Sequence, residues 1–229
     1  MRGLKRICMD EKVDLRKLIF VNRDNYILEL CKGKKVLHLG CTDFPYTKEQ
    51  YANGRLLHAR LTEVAGYVVG VDISKEGIQW IERRFKAPCH HGDIEQSVFM
   101  SRFEKGSFDI VLLTDVLEHI NNPGSALDNV SKICRNGSKL IVTVPNAHSL
   151  KSFLRVVIGF EHIHPDHVSF HSPYTMTNLL RRYGFRVEGY FSFLGGGTGL
   201  VAMITNIFLR FCPRLSEGIG FIAVSDAME

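Results

Sequence analysis

Five short apolar runs, each closed by a small or polar residue, limit what this chain can fold into. They are VLHLG (36–40), VVGVD (68–72), CHHGD (89–93), DIVLLTD (109–115) and LIVTVPN (140–146). Three of them are continuous rather than alternating, which fits strands covered on both faces inside a mainly parallel sheet. Helical patterns separate them: KEQYANGRLLHARLTEVA carries one stripe through Leu56, Leu57, Leu61 and Val64, KEGIQWIERRF forms a second helix, and PGSALDNVSKICRNG a third with Gly137 placed to end it. The order β-α-β-α-β-β-α-β, with short connections, predicts an α/β fold: a doubly wound sheet with helices on both faces. MTNLLRRYGF adds a helix, and RVEGYFSF and GIGFIAVS add two strands, for seven strands in all. Ahead of the first strand, VDLRKLIFVNRDNYILEL reads as one or two helices.

Length and composition agree with a single domain. The 229 residues are 45% hydrophobic and 23% charged, with a net charge of +5 that permits an anionic partner or membrane surface without demanding one. Residues 1–33 form N-terminal helices, 34–146 a ligand-binding core, 147–215 a cover with C-terminal elements, and 216–229 a last strand and tail. Six cysteines are scattered without a C-x-x-C pair, so reduced thiols and a cytoplasmic setting are expected. The charged start, MRGLKRICMDEKVDLRK, lacks the apolar core of a signal peptide. Leu194 to Cys212 is mostly apolar but opens with three glycines and contains Asn206 and Arg210, which makes it a poor membrane span. Aromatic and basic residues are too dispersed for a nucleic-acid-binding module, and none is expected.

In doubly wound sheets, ligands bind beyond the carboxyl ends of the strands near the point where strand order reverses. That rule selects the turn after Gly40, Asp72, Asp93, and the pair Thr114 and Asp115. An acid at the tip of the second strand can accept hydrogen bonds from both ribose hydroxyls of a nucleotide. The G-x-G-x-x-G fingerprint of dinucleotide dehydrogenases is missing, because Thr42 and Pro45 stand where glycines would be needed.

VLHLGCTDF, VVGVDIS, HGDIE, FDIVLLTDVLEHI and NGSKLIVTVPN together resemble, in order, the motifs of class I S-adenosylmethionine-dependent methyltransferases. The resemblance spans roughly residues 34–190 and points to the branch of polysaccharide, lipid-linked sugar and ubiquinone-type O-methyltransferases. It implies that His38, Gly40, Cys41 and Thr42 border the methionine part of S-adenosylmethionine. Asp72 would hold the ribose, Ile73 and Ile94 the adenine faces, Asp93 the adenine amino group, and Thr114 and Asp115 the sulfonium. The chain departs from the pattern at His38, where the family has an acid, and at Thr42, whose side chain would narrow the approach of backbone to ligand. Asp43 is then the candidate for the methionine ammonium. These departures keep a second reading open: a catalytically silent cofactor-binding or partner protein of the same fold.

For the acceptor, the resemblance implies catalytic roles for His119, His167 and Glu118. Imidazole suits a base because it titrates near neutrality. The cluster EHIHPDHVSFH supplies further histidines, and Asp115, Glu118, His119 and His167 have the donor types for a divalent metal; a metal-free base is the preferred expectation. The acceptor is expected to be a sugar, a glycolipid or another small molecule. NAHSLKSFLRVVIGFEH and residues 200–211 read first as core helix, with docking to a lipid-linked acceptor, and peripheral membrane contact, as the alternative.

Overall fold

The central strands are buried along nearly their whole length, as cover on both faces requires. In the computed structural model, which describes residues 12–195 and 200–226, a 3-10 turn (Leu15–Lys17) leads to β1 (Ile19–Phe20), α1 (Arg23–Cys31), β2 (Lys35–Leu39), α2 (Thr47–Ala52) and α3 (Leu57–Val64). Then follow β3 (Tyr67–Asp72), α4 (Lys75–Glu82), β4 (Cys89–His91), α5 (Ser97–Met100), β5 (Ile110–Thr114), a 3-10 turn (Leu117–His119) and α6 (Pro123–Ile133). The chain continues through β6 (Lys139–Pro145), α7 (Leu150–Val157), α8 (Pro173–Arg182), β7 (Phe185–Phe193), α9 (Leu200–Phe211), a 3-10 turn (Pro213–Leu215) and β8 (Gly218–Ser225). Cys8, with the first eleven residues, and the glycines at 196–197 lie outside the described residues.

The sheet order is β1-β7-β8-β6-β5-β2-β3-β4, parallel throughout except for β8, which runs against β6 and β7. Leu37, Leu39, Val69, Val71, Val111, Leu113, Leu140 and Val142 face one core layer, packed on α6 and α8 through Leu127, Val130, Met176 and Leu180. The alternate residues Val36, Val68, Ile110, Leu112 and Ile141 face the other, against Ile27, Leu57 and Leu61 of α1 and α3. Side-chain caps set several helix starts. Ser74 accepts from Gly77 N–H at 3.1 Å, Asn122 precedes Pro123 and accepts from Ser125 N–H, and Ser172 closes a reciprocal box with Thr175 ahead of Pro173.

Seven strands match the expectation; the eighth, β1, does not. Ile19 and Phe20 were expected to be helical, but they pair in parallel with Phe191 and Ser192, so the edge of the sheet overrides the local helical pattern. The single stripe of residues 48–65 is two helices, because Gly54 turns the chain at φ +65° between α2 and α3. Helix α6 ends at Cys134, which goes extended and buried, and Gly137 (φ +85°) instead makes the turn into β6. No residue of α7 is buried, and Phe153 is 63% exposed, which removes the core-helix reading of that segment.

The turn after β2 is seated on α4. Thr42 is fully buried, and a Cβ on Gly77 would come within 2.7 Å of its Cβ and Oγ1. Its side chain therefore fills the gap that Gly77 leaves, and does not crowd the outer side of the turn as the sequence suggested. Gly77→Ala should cost about 1–3 kcal/mol from overpacking, although alanine is otherwise the better helix former. Thr42→Ala in the same chain should recover most of that loss in a denaturant double-mutant cycle; additive effects would contradict the contact.

Candidate active site

Parallel register brings the selected strand ends to one edge of the sheet. Leu39 pairs with Val71 and Leu113, Asp72 with His91, and Thr114 with Thr143. Strand β2 lies between β3 and β5, so the chain leaves it on one side and returns on the other. This is the switch point at which such sheets hold ligands.

Gly40 sits at φ +78°, and a Cβ there would lie 2.3 Å from Val116 Cγ2, so neither backbone nor space admits another residue. The following turn is tied to β3 by Asp72, whose Oδ2 accepts from Thr42 N–H at 2.9 Å and Oδ1 from Ser74 N–H at 2.8 Å. Each oxygen keeps a further lone pair, and the carboxylate is half-buried. Beside it Ile73 is 71% exposed, an apolar side chain without cover. Asp93 accepts from Glu95 N–H at 2.9 Å and lies at the tip of β4. Ile94 does not stand beside it in the open: its side chain is buried in the α6 layer.

His38 is buried beneath the turn, with Nδ1 3.3 Å from His58 Nδ1 and Nε2 3.2 Å from Thr114 Oγ1. Burial holds its pKa well below the ordinary histidine value, followed by the neighbouring His58 and Arg23. A neutral, enclosed imidazole stands where the resemblance implies an acid, and it offers a ligand no charge. Cys41 is likewise buried, its thiol turned inward. Asp43, at φ +51° and exposed, and Asp115 are the acids left on the outer side.

Asp115 is also in the left-handed region, φ +54°. Thr143 Oγ1 donates to its Oδ1 at 2.9 Å, and Arg23 pairs with its Oδ2. Arg23, at the start of α1, also pairs with Asp24 at 2.8 Å and stands 5.5 Å from the Phe193 ring centroid. Nothing in the local sequence singles out Arg23; its role depends on three elements meeting. One turn further on, Glu118 is 1% exposed and neither carboxylate oxygen has a partner. Burial, and then Asp115, push its pKa up to about 8. His119 and His167 meet edge-to-face with centroids 4.6 Å apart, and His164, not singled out from sequence, completes the group at 5.7 and 5.3 Å. One nitrogen from each of the three lies within 4.8 Å of the others. Burial, then His119, lowers the pKa of His167. The segment is anchored where Val168 N–H donates to Glu118 O at 2.8 Å.

These groups open onto a cleft of about 980 Å³ along the ends of β5 and β6. Six cations (Arg23, Arg55, Arg60, Lys151, Arg155 and Arg210) and four acids (Asp24, Asp115, Glu118 and Glu217) line it. An adjoining cavity of about 520 Å³ is more apolar, formed by Leu150, Phe153, Val156, Ile163, Phe170 and Leu215 among others. Asp72 and Asp93 line neither, so the strand edge divides into a β3–β4 part and a β5–β6 part.

A methyltransferase-domain family model matches residues 14–189. The chain belongs to the class I S-adenosylmethionine-dependent methyltransferases. It is 26% identical over 164 residues to a ubiquinone biosynthesis O-methyltransferase from Aromatoleum aromaticum, covering 66% of this chain and 64% of that protein. A protein of the same description from Hahella chejuensis is 26% identical over 57% of this chain and 51% of its own length. The chain thus spans about half to two-thirds of these relatives. An S-adenosylmethionine-dependent methyltransferase structure from Archaeoglobus fulgidus shares the fold, with a TM-score of 0.59, 18% identity, and 89% and 91% of the two chains covered.

Glu118 makes the site costly to maintain above neutral pH. Its pKa rises from 4.5 unfolded to about 8 folded, so its contribution to stability is complete below pH 4.5 and is lost as pH rises through 8. Glu118→Gln should therefore be the more stable protein at pH 9, by up to about 4–5 kcal/mol from linkage, with the difference vanishing near pH 4.5. Denaturant unfolding at the two pH values measures this; a variant no more stable than wild type at pH 9 would rule out the buried, unpartnered carboxylate.

Proposed function

We propose that this methyltransferase moves the methyl group of S-adenosylmethionine onto an oxygen of a small acceptor with an anionic or polar head and an apolar tail. The observation that carries the reading is the meeting of His119, His167 and buried Glu118 beside Asp115, at the mouth of a basic cleft with an apolar neighbour. When bound, the cofactor would supply an electrophilic methyl carbon on a sulfonium, open to in-line attack by the acceptor oxygen with the thioether of S-adenosylhomocysteine as the leaving group. What the chain supplies is position and proton transfer.

The groups on the strand edge suit the cofactor. Asp72 has a free lone pair on each oxygen for the ribose hydroxyls, Ile73 an exposed apolar surface for the adenine, and Asp93 a carboxylate for its amino group. Arg23 is the cation for the methionine carboxylate, with Asp115 or Asp43 for the ammonium in place of His38. His167, kept neutral by burial, and His119 are positioned to take the acceptor's proton. Glu118, protonated at neutral pH, acts as a hydrogen-bond donor to the acceptor or to that base pair.

The exposed apolar residues of α7 (Phe153, Leu154, Val156 and Val157), beside Lys151 and Arg155, favour an acceptor carried by lipid at a membrane surface. No helix among the described residues is long and apolar enough to cross a membrane. A cytoplasmic enzyme that docks on a bilayer fits both facts, and five described cysteines are free thiols. A sugar and a prenylated phenol are the two acceptor classes this surface admits. The ubiquinone biosynthesis relatives favour the phenol.

A second reading has its own observation. The nitrogens of His119, His164 and His167 converge within 4.8 Å beside the unpartnered Glu118 carboxylate, a donor set suited to a divalent metal. Held by these three histidines, such an ion would supply a Lewis acid that lowers the pKa of an acceptor hydroxyl, leaving Asp115 and Glu118 to orient the acceptor.

Asp72→Asn removes one charge-assisted acceptor worth about 1.5–3 kcal/mol, so affinity for S-adenosylhomocysteine by calorimetry should fall roughly 10–150-fold. Unchanged affinity in a folded variant would displace the ribose site. In methyl-transfer assays on a panel of prenylated phenols and lipid-linked sugars, His119→Ala should lower turnover about 10²–10⁴-fold while cofactor binding survives. Chelator leaves the wild type active under the first reading and abolishes activity under the second. Cofactor binding without transfer to any of the panel would favour the silent alternative.

A further inference from the structure

A second cluster of potential ligands lies inside the protein, beneath the β2 turn. Three neighbouring positions on β2, β3 and β4 stand in one row across the sheet: His38 pairs with Gly70, and Gly70 with Cys89. Because Gly70 has no side chain, the row has a hollow at its centre. Three side chains converge over it, for a Cβ on Gly70 would lie 2.8 Å from Cys41 Sγ, 2.8 Å from His58 Cε1 and 2.9 Å from Cys89 Sγ. Cys41 comes from the turn after β2, His58 from α3 and Cys89 from β4. All three are buried.

We propose that Cys41, His58 and Cys89 form a three-ligand site for a thiophilic closed-shell cation, Zn²⁺ or Cu⁺, that fastens the cofactor turn to β4 and α3. The ligand atoms, two sulfurs and one imidazole nitrogen, already lie within 4.8 Å of one another. His58 Nε2 is 3.4 Å from Cys89 Sγ, close to the separation of about 3.5 Å that one nitrogen and one sulfur keep on a shared zinc ion. Two thiolates with an imidazole are the soft donors such ions select.

The surroundings support the arrangement. An ion on Nε2 leaves the Nδ1–H of His58 to donate to His38 Nδ1, at 3.3 Å, and His38 then donates from Nε2 to Thr114 Oγ1, at 3.2 Å. Ligating histidines are oriented in this way by a second hydrogen bond, and every proton in the chain has an acceptor. Binding would release the thiol protons to solvent. The site is separate from His119, His164 and His167, which line the cleft.

The test uses reduced protein carrying His167→Ala, so that the surface histidines do not compete. Zn²⁺ with a chromophoric competitor, Co²⁺ as a spectroscopic substitute, and Cu⁺ are titrated in separate arms. One equivalent should bind, with the thiolate-to-metal absorption in the Co²⁺ and Cu⁺ arms, and Zn²⁺ should raise the thermal midpoint. Cys89→Ser in the same background should lose the absorption and bind at least tenfold more weakly. Absence of that absorption in both arms, or its survival in folded Cys89→Ser, overturns the site. If Cys89→Ser does not fold, a thermal midpoint unmoved by Zn²⁺ and by Cu⁺ in the parent overturns it equally.

Discussion

Strands β2, β3, β5 and β6 are covered on both faces, so their chains meet water only at their ends. That constraint organises the rest of the molecule. Side chains along the strands must be apolar or internally satisfied, and polar chemistry collects where each strand stops. Asp72, Asp93, Thr114, Asp115 and Asn146 all stand at such ends. The sheet's alternation then assigns each interior residue to one of two layers, and the buried polar residues of these four strands, His38 and Thr143, must find partners nearby. They do: His38 with His58 and Thr114, Thr143 with Asp115.

Strand order and strand ends were legible in the sequence because both are written in short-range pattern: an apolar run, its length and its terminal residue. The same pattern named Gly40, Asp72, Asp93 and Asp115. It failed where a partner far along the chain decides the outcome. Ile19 and Phe20 belong to a strand because β7 offers them an edge. Thr42 looks like an obstruction until Gly77, 35 positions later, is found beneath it. Arg23 carries no local signature and acquires its place from Asp115 and Phe193; His164 stands out from the other histidines of EHIHPDHVSFH only because it meets His119 and His167. Gly70 was read as one more residue of an apolar run, although its missing side chain makes room for three buried ligands.

Stability and chemistry pull in opposite directions at the end of β5. Asp115 holds a backbone conformation that non-glycine residues rarely adopt, a state that persists only where surroundings over-determine it. Here Thr143 and Arg23 do so. Glu118 is denied any partner and sits beside another acid, an arrangement that a purely structural role would not favour. Unsatisfied buried carboxylates have a use only if something arrives to satisfy them: an acceptor hydroxyl, a proton, or an ion.

The two histidine groups of this chain differ in what surrounds them, and that difference decides their chemistry. His119, His164 and His167 stand at the edge of a cleft where acceptors and protons can enter and leave, so their nitrogens are exchangeable partners in a reaction. His38 and His58 are sealed under the turn, where each ring is fixed by its neighbours and burial suppresses the charged form of His38. A group so enclosed cannot trade protons with a substrate, but it can orient a ligand set and hold a turn in place. The family's acid at position 38 would bring a charge to the cofactor; the histidine brings a neutral link that runs from Thr114 through His58 to Cys89. Under the proposed cofactor placement this link lies beneath the turn, and a charge for the methionine ammonium would come from Asp115 or Asp43 on the outer side.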